Sequence, residues 1–183
     1  MFTVQTMTNP TLLVSVEDLK AHLRIEYDDE DTLLERYIRV AQANAEKITR
    51  SRLVEQSVEI TMDGFEYDEL VFHDVSPVRS VTSVNYIDDC GESKVLDLTK
   101  YRLIPGLPSK LVPIARGRFP WVTTKGSVII SAVVGYVTCP PEIVQWIMLR
   151  AGDMYQNREA SGDQQFKPHD FVDALLETHR VFS

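Results

Sequence analysis

Residues 31–62 read DTLLERYIRVAQANAEKITRSRLVEQSVEITM, and the hydrophobic period changes within them. Leu34, Tyr37, Ile38, Ala41, Ala45 and Ile48 recur at three- and four-residue steps, which is one stripe of an amphipathic helix. After Leu53 the step shortens to two. Val58, Ile60 and Met62 alternate with Glu59 and Thr61, as in a half-buried strand. The periodicity predicts a helix from Asp29 to Thr49, about 30 Å long at ~1.5 Å per residue. Asp28-Asp29-Glu30-Asp31 would place carboxylates at its positive N-terminus.

Upstream of this stretch, Ser15 followed by Asp18 is a capping-box-like start, with Leu19 and Leu23 on one face of a short helix ending near Arg24. Downstream, strand candidates are Leu70–Phe72, Val78–Ile87, Lys94–Leu96, Tyr101–Ile104, Leu111–Ile114 and Ser127–Tyr136. Asp88-Asp89-Cys90-Gly91 reads as a turn. Short strands at this spacing predict a small antiparallel sheet or sandwich. Pro140-Pro141-Glu142 opens a third helix, with proline where no N–H is needed. Only Gln145 is polar within Ile143–Leu149, so this helix is either a central core helix or a subunit contact. After the loop-like residues 160–168, Asp170 reads as the N-cap of a last helix. That helix carries Phe171, Val172, Leu175 and Leu176 and runs to the C-terminus. The expected fold class is therefore α+β. N- and C-terminal helices (14–52 and 139–183) form one small bundle around an inserted antiparallel β domain (53–138).

Composition narrows the function. Apolar residues make up 44% and charged residues 25% of 183 residues, an ordinary globular mix that folds without disulfide or metal staples. Cys90 and Cys139 match no zinc or redox spacing and read as plain thiols of a protein made in the cytoplasm. No apolar run reaches the ~20 residues of a bilayer span, and the first residues lack the pattern of a signal peptide. The formal net charge of −8 argues against a free nucleic-acid binder. The charges are nonetheless segregated. Glu55–Asp97 carries eleven carboxylates against Arg79 and Lys94, whereas Leu98–Pro141 has no acid and six cations: Lys100, Arg102, Lys110, Arg116, Arg118 and Lys125.

Motifs for chemistry are lacking: there is no phosphate loop, dinucleotide fingerprint or nucleophile elbow. His22 near Asp28–Asp31, and His169-Asp170 with Asp173, are the nearest approaches to metal-ligand sets. A helix-start acid cluster and an N-cap explain them more simply. Tyr101, Phe119 and Trp121 beside the cations could stack on bases, but sheet-core aromatics are the expected reading. No catalytic, metal or cofactor-binding residue is expected, and no cofactor.

Four blocks in order carry a resemblance. The first is Ser15-Val16-Glu17-Asp18-Leu19-Lys20-Ala21-His22-Leu23-Arg24-Ile25, then Asp28–Asp31, then a helix closing at Ile48-Thr49 and Arg52-Leu53. The second is Ser76-Pro77-Val78-Arg79-Ser80-Val81-Thr82-Ser83-Val84 with Tyr86-Ile87-Asp88 and Gly91. The third is Tyr101-Arg102-Leu103 with Gly126-Ser127-Val128 and Gly135-Tyr136. The last is Pro140-Pro141-Glu142-Ile143, Tyr155-Gln156-Asn157-Arg158-Glu159 and Ala174-Leu175-Leu176 with Arg180. Over residues 14 to 182 this resembles the head–tail connector (adaptor) proteins of tailed bacteriophages, in their longer branch with a β-rich insertion. Arg50-Ser51 departs from the pattern, in which a glycine follows the helix-ending threonine.

The resemblance implies a non-enzymatic structural subunit of the virion neck, assembled in the host cytoplasm. It implies a homo-oligomeric ring, commonly of twelve copies, beneath the portal protein. The ring would extend the DNA channel towards a tail-side stopper or tail-completion protein. Genomic DNA would pass through the lumen without sequence-specific binding, and no membrane is involved. The alternatives are another phage neck or tail-completion ring protein and a small hydrolase with an unrecognised site. A ring needs a heterologous interface, one face meeting a different face of the neighbour, so the charge segregation nominates Arg102, Arg116 and Arg118 to meet Glu66, Asp68 and Glu69 of a neighbour. Phe171, Arg180, Val181 and Phe182 are the expected portal-docking residues.

Overall fold

The structure, a computed structural model, describes residues 2–7, 10–65, 68–115, 117–122, 124–157 and 170–181, without the side chains of Phe2, Asp170 and Phe171. Its elements run β1 (Phe2–Thr6), α1 (Val16–Leu23), α2 (Asp31–Thr49), β2 (Gln56–Met62), β3 (Leu70–Phe72), β4 (Val78–Ile87) and β5 (Ser93–Val95). A 3₁₀ turn (Leu98–Lys100) follows, then β6 (Tyr101–Ile104), β7 (Ser109–Pro113), β8 (Val128–Val134), α3 (Pro141–Gln156) and α4 (Asp170–Glu177). The class is α+β, with helices at both ends and antiparallel strands between them. The chain divides into two compact units: a helical one of Thr11–Thr49 and Thr138–Arg180, and a β-rich one of Met1–Pro10, Arg50–Val137 and Val181–Ser183.

In the helical unit, α2 and α3 form the central pair, each packing against the other and against α1 and α4. Leu19, Leu34, Ile38, Ala41, Ala45, Ile143, Ile147 and Ala151 are fully buried, so Leu34, Ile38, Ala41 and Ala45 of the stripe read from the sequence form the core face of α2, whereas Tyr37 is half-buried and Ile48, near the end of the helix, is exposed. The end of α4 meets this core through Val172 and Leu176, with Leu175 only half-buried. Helix ends are explained by local bonds. Ser15 Oγ accepts from the Asp18 N–H at 3.0 Å. Arg24 closes α1 in the left-handed region (φ 59°), and the Ile25 N–H reaches back to Lys20 O at 3.0 Å. Helix α2 starts at Asp31 and not at Asp29, because a turn bond from Asp31 N to Asp28 O precedes it and Glu30 O accepts the first helical N–H, that of Leu34. Arg50 (φ 53°) takes the left-handed position after Thr49 that a glycine was expected to fill. Helix α4 stops at Glu177, short of the predicted C-terminal extent, and closes through turn bonds from His179 N to Leu176 O and Arg180 N to Glu177 O.

The β unit holds a five-stranded sheet, β1-β2-β8-β4-β5, and a three-stranded sheet, β3-β7-β6, all pairs antiparallel. Strand β8 is the middle of the larger sheet and alternates buried and half-buried along its length, and β2 beside it buries Gln56, Val58 and Ile60 in the same two-residue step but leaves Met62 half-buried. One core joins both sheets through Ile60, Val84, Ile130, Leu70, Phe72 and Leu111. Strand β1 was not anticipated. It pairs with β2 from Phe2↔Met62 to Thr6↔Val58.

Two buried serines stitch the sheets together. Ser76 Oγ donates to Phe72 O and accepts from the Ser109 N–H at 2.7 Å. Ser109 Oγ in turn accepts from Val78 N–H at 2.9 Å and donates to Gly106 O. Gly135 ends β8 with φ 106°, donating to Pro77 O, and a Cβ there would lie 2.2 Å from Val54 O.

Candidate interaction surfaces

The polar groups first weighed as chemistry serve the fold. Lys20 reaches from α1 to pair with both Asp28 and Asp31, the latter at 2.8 Å, and these hydrogen bonds hold its ammonium above the ordinary lysine range. The Tyr155 hydroxyl donates to Glu30, which raises the phenol pKa, and Tyr27 OH lies 3.0 Å from Tyr155 OH. Asp173 of α4 accepts from Arg150 at 2.7 Å and from Trp146 Nε1 at 3.3 Å, with the guanidinium 5.4 Å over the indole. The acidic run at 28–31 is thus tied into the bundle as well as sitting at a helix start. No group of three or more His, Cys, Asp or Glu among the described residues could hold a metal. His169 lies outside the described residues, and Asp170 is the first residue of α4. No described helix is long and apolar enough to cross a membrane.

A second buried tie has no motif in the sequence. Gln42 sits inside the apolar stripe of α2, where its Nε2 donates to Thr11 O at 3.1 Å and its Oε1 accepts from Leu13 N–H at 3.0 Å. It fixes the segment leading into α1 on α2.

At one end of the β unit an aromatic column forms. Phe119 stacks between Phe65 (5.0 Å) and Tyr101 (4.7 Å), and Phe65 meets Tyr86 edge-on. Tyr101 OH donates to Arg118 O at 3.0 Å, and burial raises its phenol pKa. Phe119 and Tyr101 are thus sheet-core aromatics, as expected. Trp121 is not: it lies 60% exposed, and Ile114 in the same loop 53% exposed.

The β4–β5 hairpin is held from within. Asp88 Oδ1 accepts from the Cys90 and Glu92 N–H groups, and Oδ2 pairs with Lys94, the largest of the effects that hold this carboxyl below its ordinary range. Gly91 supplies the left-handed corner (φ 81°). Asp89 and Glu92 point into solvent, and Val95 is 70% exposed.

The nominated contact residues fall as follows. Arg102 is exposed on β6 and Asp68 is exposed just ahead of β3, so they occupy opposite edges of the three-stranded sheet. Arg118 is exposed in the loop after β7. Glu69 is engaged inside the chain, its carboxylate taking Lys110 Nζ at 2.9 and 3.0 Å. Arg116 and Glu66 lie outside the described residues. Of the four C-terminal residues, Arg180 is exposed with Glu177 at 3.2 Å, whereas Val181 is 3% exposed. Its burial withdraws the Val181 side chain from any docking role, because the chain's own atoms already cover it. Phe171 lies in α4 without a described side chain, and Phe182 is outside the described residues.

Comparison with known proteins adds the following. Residues 14–72 match the family of phage gp6-like head-tail connector proteins. No curated protein matches the sequence. Among solved structures, a chain in the neck of an empty gene transfer agent particle, computed with C6 symmetry, superposes with TM-score 0.81 at 22% identity, covering 99% of this chain and 96% of that one. A chain of the native gene transfer agent virion gives 0.80 at 22% with the same coverage. One from the native neck computed with C12 symmetry gives 0.70 at 23%, covering 97% and 96%. Over residues 14–72 the chain is similar to the phage gp6-like head-tail connector family, and over 99% of its length it shares the fold of a chain in the neck of a gene transfer agent particle.

Proposed function

We propose that this protein is a structural head–tail connector subunit, non-enzymatic, that forms a ring in the neck of a phage-like particle. The ring is commonly of twelve copies, sits beneath the portal and prolongs the DNA channel towards the tail. The observation that carries this is the family match over residues 14–72, on a chain that follows the gene transfer agent neck fold over 99% of its length. Those neck particles were computed with C6 and C12 symmetry, which favours a ring of this chain too. A net charge of −8 suits a channel through which DNA slides without sticking.

Neighbouring copies meet through the opposite edges of the three-stranded sheet, Arg102 of one towards Asp68 of the next, with the exposed Arg118 as a further cation. Such exposed pairs contribute ~0–1 kcal/mol each and set register more than affinity. Portal docking falls to the C-terminal end, where Arg180 is the exposed described residue. Electron-microscopy class averages of assembled particles test the reading. A ring of this chain directly under the portal is expected, and a ring elsewhere in the neck would favour a stopper or tail-completion role. An Arg180→Glu variant should fold normally and bind portal particles at least ~10-fold more weakly.

A further inference from the structure

We propose that the acidic β4–β5 hairpin of one copy docks on Trp121 and Lys125 of the next copy. This rests on the ring reading above and assigns a surface to it.

The hairpin is built to present its tip. Asp88 is consumed by Lys94 and by two backbone N–H groups, Glu92 is exposed with Lys94 Nζ at 3.9 Å, and Asp89 is exposed at the tip, so the tip carries more acid than base. Strand β5 ends the five-stranded sheet, and all three of its side chains are exposed. The bonds Asp88 N to Glu92 O and Leu96 N to Val84 O fix the ladder phase. In that phase the N–H and C=O groups of Ser93 and Val95 turn away from β4. An open edge beside an exposed valine is a surface that soluble proteins normally blunt or cover.

The receiving surface has the complementary character. Trp121 presents a large apolar face on a loop whose neighbour Phe119 is locked in the aromatic column, so the indole is carried on a rigid base. Lys125 is exposed in the same loop; Asp63 from the end of β2 takes the Gly126 N–H at 2.9 Å and is the acid nearest this lysine, since the loop's own stretch from Leu98 to Pro141 has no carboxylate. Apolar contact flanked by opposite charges is therefore available on both sides.

The topology separates the two surfaces within one chain. Both lie at the same end of the larger sheet, where Met62, Val128 and Tyr86 are in register. The loop is anchored to Asp63 and passes Gly64, just beyond β2, whereas the hairpin extends β4 and β5. Strands β2 and β5 are three places apart in the sheet, about 14 Å at ~4.8 Å per step. Two different surfaces on opposite flanks make a heterologous contact, the kind that closes into rings.

The native Cys90 sits exposed at the hairpin tip and provides the probe. Cys139 is half-buried and burial pushes its thiol up to about 11, so it competes poorly for oxidation. Full-length Trp121→Cys and Lys125→Cys variants are oxidised mildly and resolved on non-reducing gels, with sedimentation of the unoxidised protein alongside. The expected result is a covalent ladder at least ~10-fold stronger than for wild type or for a Thr82→Cys control, lost when Cys90→Ser is added. Mixing Trp121→Cys/Cys90→Ser chains with wild type should stop at linked pairs. Assemblies that sediment as rings but give no Cys90 ladder, or one no stronger than Thr82→Cys gives, would overturn the hairpin contact and leave the ring standing. A chain that neither sediments as an assembly nor cross-links would overturn both.

Discussion

Replacing Ser76 with alanine removes a single oxygen from the junction of the two sheets, and the structure says what that should cost. The hydroxyl accepts from the Ser109 N–H at 2.7 Å and donates to Phe72 O, and both serines are fully buried. The truncated site leaves an N–H with no partner, a loss of about 1–3 kcal/mol, and a carbonyl deprived of one donor, a smaller loss of about 1 kcal/mol. The space vacated by one oxygen is too small to admit a water that could replace them. The sum is about 3 kcal/mol. With an m-value of about 1.5 kcal/mol/M the urea midpoint should fall by about 2 M with the slope unchanged. Amide exchange adds a local readout, since the Ser109 N–H should lose protection before the rest of β7. A midpoint shift below about 0.3 M would refute the reasoning, because it would mean the two groups find other partners and the serine does not join the sheets.

Other substitutions probe other links. Gly135→Ala would push a Cβ to 2.2 Å from Val54 O at φ 106°, and a loss of about 4 kcal/mol in chemical denaturation is expected. Ile147→Asp places an unpaired charge at a fully buried site of α3; a thermal midpoint unchanged from wild type would contradict the bundle core. Arg24→Gly should stabilise the protein by about 0.5–1 kcal/mol, since φ 59° costs arginine more than glycine and the cap bonds are made by backbone. Tyr155 should titrate late in a phenolate absorbance titration. Its donation to the Glu30 carboxylate raises the folded pKa above the ordinary 10.0, so the bond's contribution is complete below pH 10 and is lost as pH rises beyond it. Tyr155→Phe should remove that late component.

The elements visible in the sequence were those whose signals are local. The stripe of α2, the Ser15 cap, the proline start of α3 and the Asp88–Gly91 turn depend on neighbours within a few residues, and each stands where its pattern placed it except at the last position of the stripe, Ile48, which is exposed. Strand β1 escaped because five residues carry little periodicity, and its partner β2 lies beyond both first helices. The Ser76–Ser109 pair and Gln42 escaped for the same reason: their partners are 29 to 33 residues away, and a buried serine or glutamine looks like any surface one in a string of letters. Trp121 was read as core because aromatics beside β-branched residues usually are; only the path of the loop leaves it outside. For the contact residues, the sequence located the segregated charge but not its occupancy, and Glu69 turned out to be engaged by Lys110.

The placement of β8 at the middle of the larger sheet has a consequence for how the protein is made. Among the described strands it is the last to leave the ribosome, yet β2 and β4 pair with it and not with each other. Until residues 128–134 emerge, the nascent chain holds two apolar strands with no ladder between them. The stripe of α2 waits longer still, for α3 to be synthesised about 100 residues later. Neither unit can close early during translation, so both should fold late and nearly together. That leaves a long window in which unpaired strand edges are open to chaperones or to aggregation.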